Sequence, residues 1–224
     1  MAWFKEDFLH FFMDLASNNH RDWFHGEKDR FEEVVKKPFL LFMGALMSEV
    51  EKTDSRLVTD PAKTLFRINR DIRFSKDKSP YKLHMSAVLS PEGKKDPGPA
   101  AFYLQFGVET LMLAGGLYSP TPFESSKVRR SMAEDQLHWE RVLGHKGFKD
   151  HYGEIQGQKL KKRPKELADI QADFPDLYRK QWYFQVMLDA ENQLTRADLL
   201  EHTLQHFQAG YPVFEKLYHY YHKK

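Results

Sequence analysis

Arg67, Arg70 and Arg73 recur at every third position, with Asp71 set among them, in the run K-T-L-F-R-I-N-R-D-I-R-F-S-K-D-K-S-P-Y-K from Lys63 to Lys82. Guanidinium groups gathered in this way suit one kind of chemistry, the grip of a phosphate or carboxylate by N–H forks. A carboxylate beside them fixes the forks and leaves other donors for a ligand. Lys63, Lys76, Lys78 and Lys82 add charge, so the segment holds seven basic residues against Asp71 and Asp77, a net of +5 in twenty residues. The whole chain carries only +2, from 34 basic and 32 acidic residues. Phe66, Ile68, Ile72 and Phe74 interleave with the cations and, being apolar, are expected to seek burial and draw the arginines into a recess. The expected ligand-binding residues are Arg67, Arg70 and Arg73 as donors, Asp71 as their orienting acid, and Asp77, Lys78 and Tyr81 at the rim. The expected partner is an anionic small molecule, a phosphorylated metabolite or nucleotide first. A salt-bridged, solvated surface is the structural alternative for the same residues.

Two other functions fit the same cluster. Asp71, Asp77, Tyr81 and His84 are the acid–base candidates beside it, so an enzyme acting on a phosphorylated or carboxylated small molecule is one alternative. A nucleic-acid-binding module is the other, less favoured because the charge outside the segment balances. Lys159 to Lys165, K-L-K-K-R-P-K, reads as a solvated basic loop. His202 and His206 stand four apart and His219 and His222 three apart, but no H-E-x-x-H and no third ligand accompany them. No metal and no cofactor is expected. The chain has no cysteine, which excludes disulfides, thiol nucleophiles and thiolate metal sites. It also lacks a G-x-S-x-G elbow, a phosphate-binding G-x-x-x-x-G-K loop and a G-x-G-x-x-G fingerprint.

The spacing Arg67-x-x-Arg70-Asp71-x-Arg73-Phe74, followed by Asp77-Lys78-x-x-Tyr81, resembles the signature of an uncharacterised bacterial family, domain of unknown function 2461. The resemblance extends to Asn18-Asn19-x-Arg21-Asp22-Trp23-Phe24 and to Tyr118-x-Pro120 after two glycines, and so covers nearly the whole chain. It implies no established activity, cofactor or substrate. Members of that family often carry a D-H-P-like tripeptide; this chain has Asp173-Phe174-Pro175, so the resemblance implies no catalytic histidine there.

Around these residues the pattern predicts an α+β fold, an antiparallel sheet flanked by N- and C-terminal helices in a single domain of residues 1–224. A helical part spans about 1–52, a sheet-rich middle about 55–118 and a mixed part about 119–224. Phe4, Phe8, Phe11, Phe12 and Leu15 fall on one helical face, and Asn18-Asn19 ends it. A second helix surrounds Phe31, Val34 and Val35, and Pro38 opens a third. Asn19-x-Arg21-Asp22-Trp23 reads as a helix–helix connection pinned by Trp23. For the basic segment, periodicity leaves strand and helix equally open.

Met85, Ala87 and Leu89 alternate with polar or outward positions, as do Phe102 to Val108 and Trp182 to Leu188, which predicts strands. A turn at Gly107–Thr110 joins the second of these to a strand ending near Gly115-Gly116. Ser90 to Pro99 reads as an exposed loop. Thr121, Pro122 and Glu124 form a capping box that starts a helix reaching Leu143, with a break near residues 133–136. Thr195, with Asp198 three residues on, is expected to start a C-terminal helix that Gly210 and Pro212 break or kink. No apolar stretch is long enough for a membrane span, and the acidic residues near the N-terminus argue against a secretory signal. A cytoplasmic location is the expectation.

Overall fold

The computed structural model describes residues 2–57, 60–91 and 100–223. Helix α1 (Glu6–Ser17) ends at Asn18, and Phe8, Phe11, Phe12 and Leu15 are buried along its inner face. Short helices α2 (Arg21–Gly26) and α3 (Lys28–Arg30) lead into a π-helical turn, Phe31–Lys36, which runs on into α4 (Lys37–Val50). Pro38 therefore stands in the first turn of α4, as the sequence predicts, although α4 continues the helical path of the turn before it. A proline ring clashes with the carbonyl four residues back in a regular α-helix. Here the chain just before it is wound more loosely, and the Lys37 N–H reaches the Glu32 carbonyl five residues back. Helix α5 (Pro61–Thr64) is a single turn.

Four strands, β1 (His84–Leu89), β2 (Ala101–Gly107), β3 (Thr110–Leu117) and β4 (Trp182–Asp189), form an antiparallel sheet in the order β1-β2-β3-β4. The α+β class with helices at both ends is as the sequence predicts. Residues 92–99 of the expected loop lie outside the described residues. Helices α6 (Pro122–Glu134), α7 (Gln136–Gly144) and α8 (Lys146–Tyr152) precede β4; α9 (Ala190–Leu194) and α10 (Leu199–His222) follow it. The Thr121–Glu124 capping box is present in both directions, and Asp135 separates α6 from α7.

Two expectations at the C-terminal end are corrected. Thr195 does not start a helix; it closes α9, its hydroxyl donating to the Glu191 carbonyl at 2.9 Å, and α10 begins at Leu199. Gly210 and Pro212 do not divide α10. Gly210 is there for space: a Cβ would stand 2.6 Å from the Phe184 ring.

The chain forms two compact units. The first is Met1–Asp96, Tyr103–Leu113 and Met187–Leu204. Its core is aromatic, with Phe106 packed edge-on against Phe4, Phe39 and Phe42 at 5.2–5.5 Å. The second is Pro97–Phe102, Ala114–Val186 and Gln205–Lys224. There Phe102 meets Phe207 at 4.6 Å and Phe214 at 4.8 Å, and Trp139 and Trp182 are fully buried. Each buried phenylalanine contributes about 1.5–3 kcal/mol by leaving water. Among the described residues no helix is long and apolar enough to cross a membrane.

Candidate anion-binding cavity

The basic segment lies entirely in the first unit and is neither a regular strand nor a helix. Asp60 caps α5 by accepting the Ala62 N–H at 2.9 Å, and Thr64 closes the turn on the Pro61 carbonyl at 2.7 Å. The chain then doubles back on itself as an extended arm. Leu65 bridges Ala87 and Asn69 bridges Tyr81, both antiparallel. Phe66 donates to Ser86 at 2.9 Å, Lys82 to Ile68 at 2.8 Å and Arg70 to Pro80 at 2.8 Å. Between the two bridges, three residues on one side thus face five on the other. Extra residues bulge one edge and interrupt a ladder, so isolated bridges form where periodicity alone allowed a strand.

The arm divides into a root and a tip. At the tip Arg73 grips Asp71 with two side-chain bonds of 2.9 and 2.6 Å, and Arg70 is paired with Asp77 and reaches Ser75 at 3.4 Å. Asp77 also accepts the Ser79 hydroxyl at 2.7 Å and its N–H at 2.9 Å, while Lys78 donates to the Ile72 carbonyl at 3.0 Å. The Arg73 guanidinium holds the Asp71 carboxyl below the usual carboxylate range. Ser79, and after it Arg70, does the same for Asp77. Both carboxylates favour the folded loop above the ordinary carboxylate range, and that contribution fades as acidity passes through their lower folded values. The tip does not bury its apolar residues as expected. Phe74 is 95% exposed, with Arg73 over its ring at 5.8 Å, because the loop closes on its own polar groups and leaves no apolar surface for it.

At the root Leu65 and Ile68 are buried and face the helices. Between the root and those helices lies a cavity of about 340 Å³. Phe24, Phe31 and Leu40 supply its apolar helical wall; Leu65, Phe66, Ile68 and Met85 supply the opposite one. Its polar groups are Lys28, Glu32 and Lys36 on the helices and Arg67 and Asn69 on the arm. Lys36 is paired with Glu32 at 2.8 Å. Arg67 and Lys28 make no ion pair or side-chain hydrogen bond among the described residues. Of the seven residues expected to bind a ligand, Arg67 lines the cavity. Arg70, Asp71, Arg73, Asp77 and Lys78 form the self-bonded tip. Tyr81 is buried and stacks on Phe24 at 4.1 Å, supporting the wall from behind.

Asn19 is more than a turn residue. Its side-chain amide donates to the Tyr81 carbonyl at 3.0 Å and accepts the Tyr81 N–H at 3.1 Å, so it imitates one rung of a sheet and fastens the arm to the end of α1. The Asn19→Ala protein should lose about 2 kcal/mol, two hydrogen bonds with their partners left part-buried. A chemical denaturation midpoint unchanged from the parent would contradict this.

Lys28, Lys36, Phe24 and Phe31 were not singled out from sequence as site residues. Their only signal is the run of charges around Phe31, which does not say what lies opposite.

The family model described as "Conserved hypothetical protein (DUF2461)" matches residues 7–215. The chain belongs to the DUF2461 family. That match spans the helical wall, the whole basic arm and the sheet of this DUF2461 protein. No curated protein and no solved structure matches it.

Proposed function

We propose that this DUF2461 protein binds an anionic small molecule in the cavity between the arm and the helices. Arg67 and Lys28 would hold the charged group, and the aromatic and aliphatic walls would take an uncharged body. One observation carries this. The arm gives Arg70 and Arg73 carboxylate partners within its own tip and leaves Arg67, at the cavity, with none among the described residues. Arg67 is exposed and its charge reaches Asp71, but no carboxylate among the described residues is bonded to it, so its N–H fork gains more from an anion than one already paired. Arg70 and Arg73 keep N–H groups beyond those given to Asp77 and Asp71, so the tip retains donors for an anion.

The test is a thermal-shift titration with inorganic pyrophosphate and with citrate as probes. The melting temperature should rise with at least one probe. Arg67→Ala should weaken that probe's apparent affinity tenfold to a hundredfold, from about 1.5–3 kcal/mol for hydrogen bonds to a charged group. Lys28→Ala should act in the same direction. Equal shifts in parent and Arg67→Ala proteins, or no shift with either probe, would remove the basis for the cavity as an anion site.

A further inference from the structure

Phe74, at 95% exposure, is the most exposed large apolar side chain among the described residues. Single apolar residues on a surface are ordinary. Phe74 differs in where it stands. The chain bends at Arg73 and Phe74, with the Ser75 N–H donating to the Ile72 carbonyl at 3.3 Å, so these two residues form the apex of the tip. The Lys78 ammonium donates to the same carbonyl at 3.0 Å, and Arg70 reaches the Ser75 hydroxyl at 3.4 Å. Arg70 and Arg73 close on Asp77 and Asp71. Polar bonds among its neighbours thus hold the apex in shape, and Phe74 adds no buried surface to it. A ring that water disfavours is presented on a frame that does not depend on it.

Positive charge surrounds that ring. From Arg70 to Ser79 the tip carries Arg70, Arg73, Lys76 and Lys78 against Asp71 and Asp77, a net of +2. The two arginines take both acids. Lys76 and Lys78 are exposed and have no carboxylate partner among the described residues.

An anionic lipid surface offers the matching chemistry in the matching order of depth. Its acyl boundary takes an apolar ring, and its headgroup charges lie above that boundary, within reach of lysines whose stems can rest lower. A single-stranded nucleic acid fits less well. Such strands lie on successive stacking rings, whereas Phe74 is the one aromatic residue from Arg67 to Pro80, and Arg73 already lies over it at 5.8 Å.

We propose that the tip of the arm docks on anionic lipid surfaces, with Phe74 entering the boundary between headgroups and acyl chains and Lys76 and Lys78 resting among the headgroup charges. None of these three residues lines the cavity, so the docking surface is independent of the anion-binding function proposed above. One ring and a net of two charges give reversible association and not permanent attachment, which takes stronger or paired signals.

Flotation of the full chain with two kinds of vesicle tests this, one of phosphatidylcholine alone and one of phosphatidylcholine and phosphatidylserine mixed two to one. At low salt the apparent affinity should be about tenfold or more higher for the mixed vesicles, and added salt should remove the difference, because exposed charges are screened. Phe74→Ser should bind the mixed vesicles about tenfold or more weakly than the parent, from the loss of a buried ring. Lys76→Glu, which reverses a charge, should lose about tenfold. Phe74→Trp should bind as the parent does, since indole is favoured at the membrane–water boundary. Both positions are exposed, so these variants keep the parent fold.

Equal binding by the parent and Phe74→Ser proteins, equal binding to both kinds of vesicle, or no flotation of the parent with either would overturn the proposal. So would Phe74-dependent binding of a fluorescent oligothymidylate without flotation, which would make the tip a nucleic-acid surface instead.

Discussion

Replacing Asp176 with alanine is expected to destabilise the protein by roughly 3–5 kcal/mol, the cost of stranding a buried charge by removing its partner. Asp176 sits in the 3-10 turn Pro175–Tyr178 of the second unit and holds three groups at once. One carboxylate oxygen accepts Arg179 Nε at 2.7 Å, the other accepts Trp139 Nε1 at 2.9 Å, and its backbone carbonyl accepts Trp182 Nε1 at 2.8 Å. The side chains of Arg179 and Asp176 are only 9% and 13% exposed, so water cannot replace what is lost. The damage would spread, because the Arg179 carbonyl accepts two bonds from the buried Arg129, which is itself paired with Glu166 and lies over Trp182. Asp176→Asn keeps an acceptor but no charge and should fall between parent and alanine proteins. Urea unfolding followed by tryptophan fluorescence reads the effect directly, since Trp139 and Trp182 are both bonded to this residue. A loss of less than 1 kcal/mol for the alanine protein would mean that the network does not hold this unit together.

Gly116→Ala should cost about 3 kcal/mol, from backbone strain and overlap that no side-chain rotation can relieve. Gly116 has φ +113°, which L-residues avoid, and a Cβ there would stand 2.4 Å from the Trp182 carbonyl oxygen and 2.9 Å from the Tyr183 Cα. Those atoms belong to the backbone of β4, so one strand would have to move. Gly144, at the end of α7, provides the control. Nothing lies within 4 Å of a Cβ built there, and its φ is not in the left-handed range. Gly144→Ala should change stability by no more than about 1 kcal/mol. Melting temperatures of the two alanine proteins measured side by side decide the matter; similar values would show that β3 and β4 can part at little cost.

Features set by neighbours in sequence were legible before the structure. Thr121 and Glu124 are three residues apart and cap each other, and the alternation from Trp182 to Leu188 needs only a sheet with one buried face. Features set by distant partners were not. Glycines 115 and 116 suggested a strand end, and β3 does end at Leu117, but the reason for glycine there was not visible: the pair makes room for Phe184 and for the β4 backbone. Gly210 and Pro212 suggested a break or a kink; the helix does not break there, and the same Phe184 explains why position 210 is glycine. The arm is the clearest case. Its periodicity fitted strand and helix alike, and its unequal pairing with residues 80–87 was not visible from either half alone. At the site, the arginines were conspicuous in sequence, but which of them an acid already occupied was a matter of three-dimensional folding. The helical side of the cavity gave no warning of what it faced.

The loosely wound turn between α3 and α4 also sets the phase of that helical side. Phe31, Val35 and Phe39 are spaced four apart twice, and all three are buried. At 3.6 residues per revolution such a triplet fans over about 80°. Winding Phe31–Lys36 more slowly narrows that fan. Phe39 is buried in line with Phe31, and Glu32 and Lys36 line the cavity. The address of each cavity-facing side chain is thus written in the pitch of one turn, and tightening that turn would rotate the polar wall out of place without changing a single residue in it.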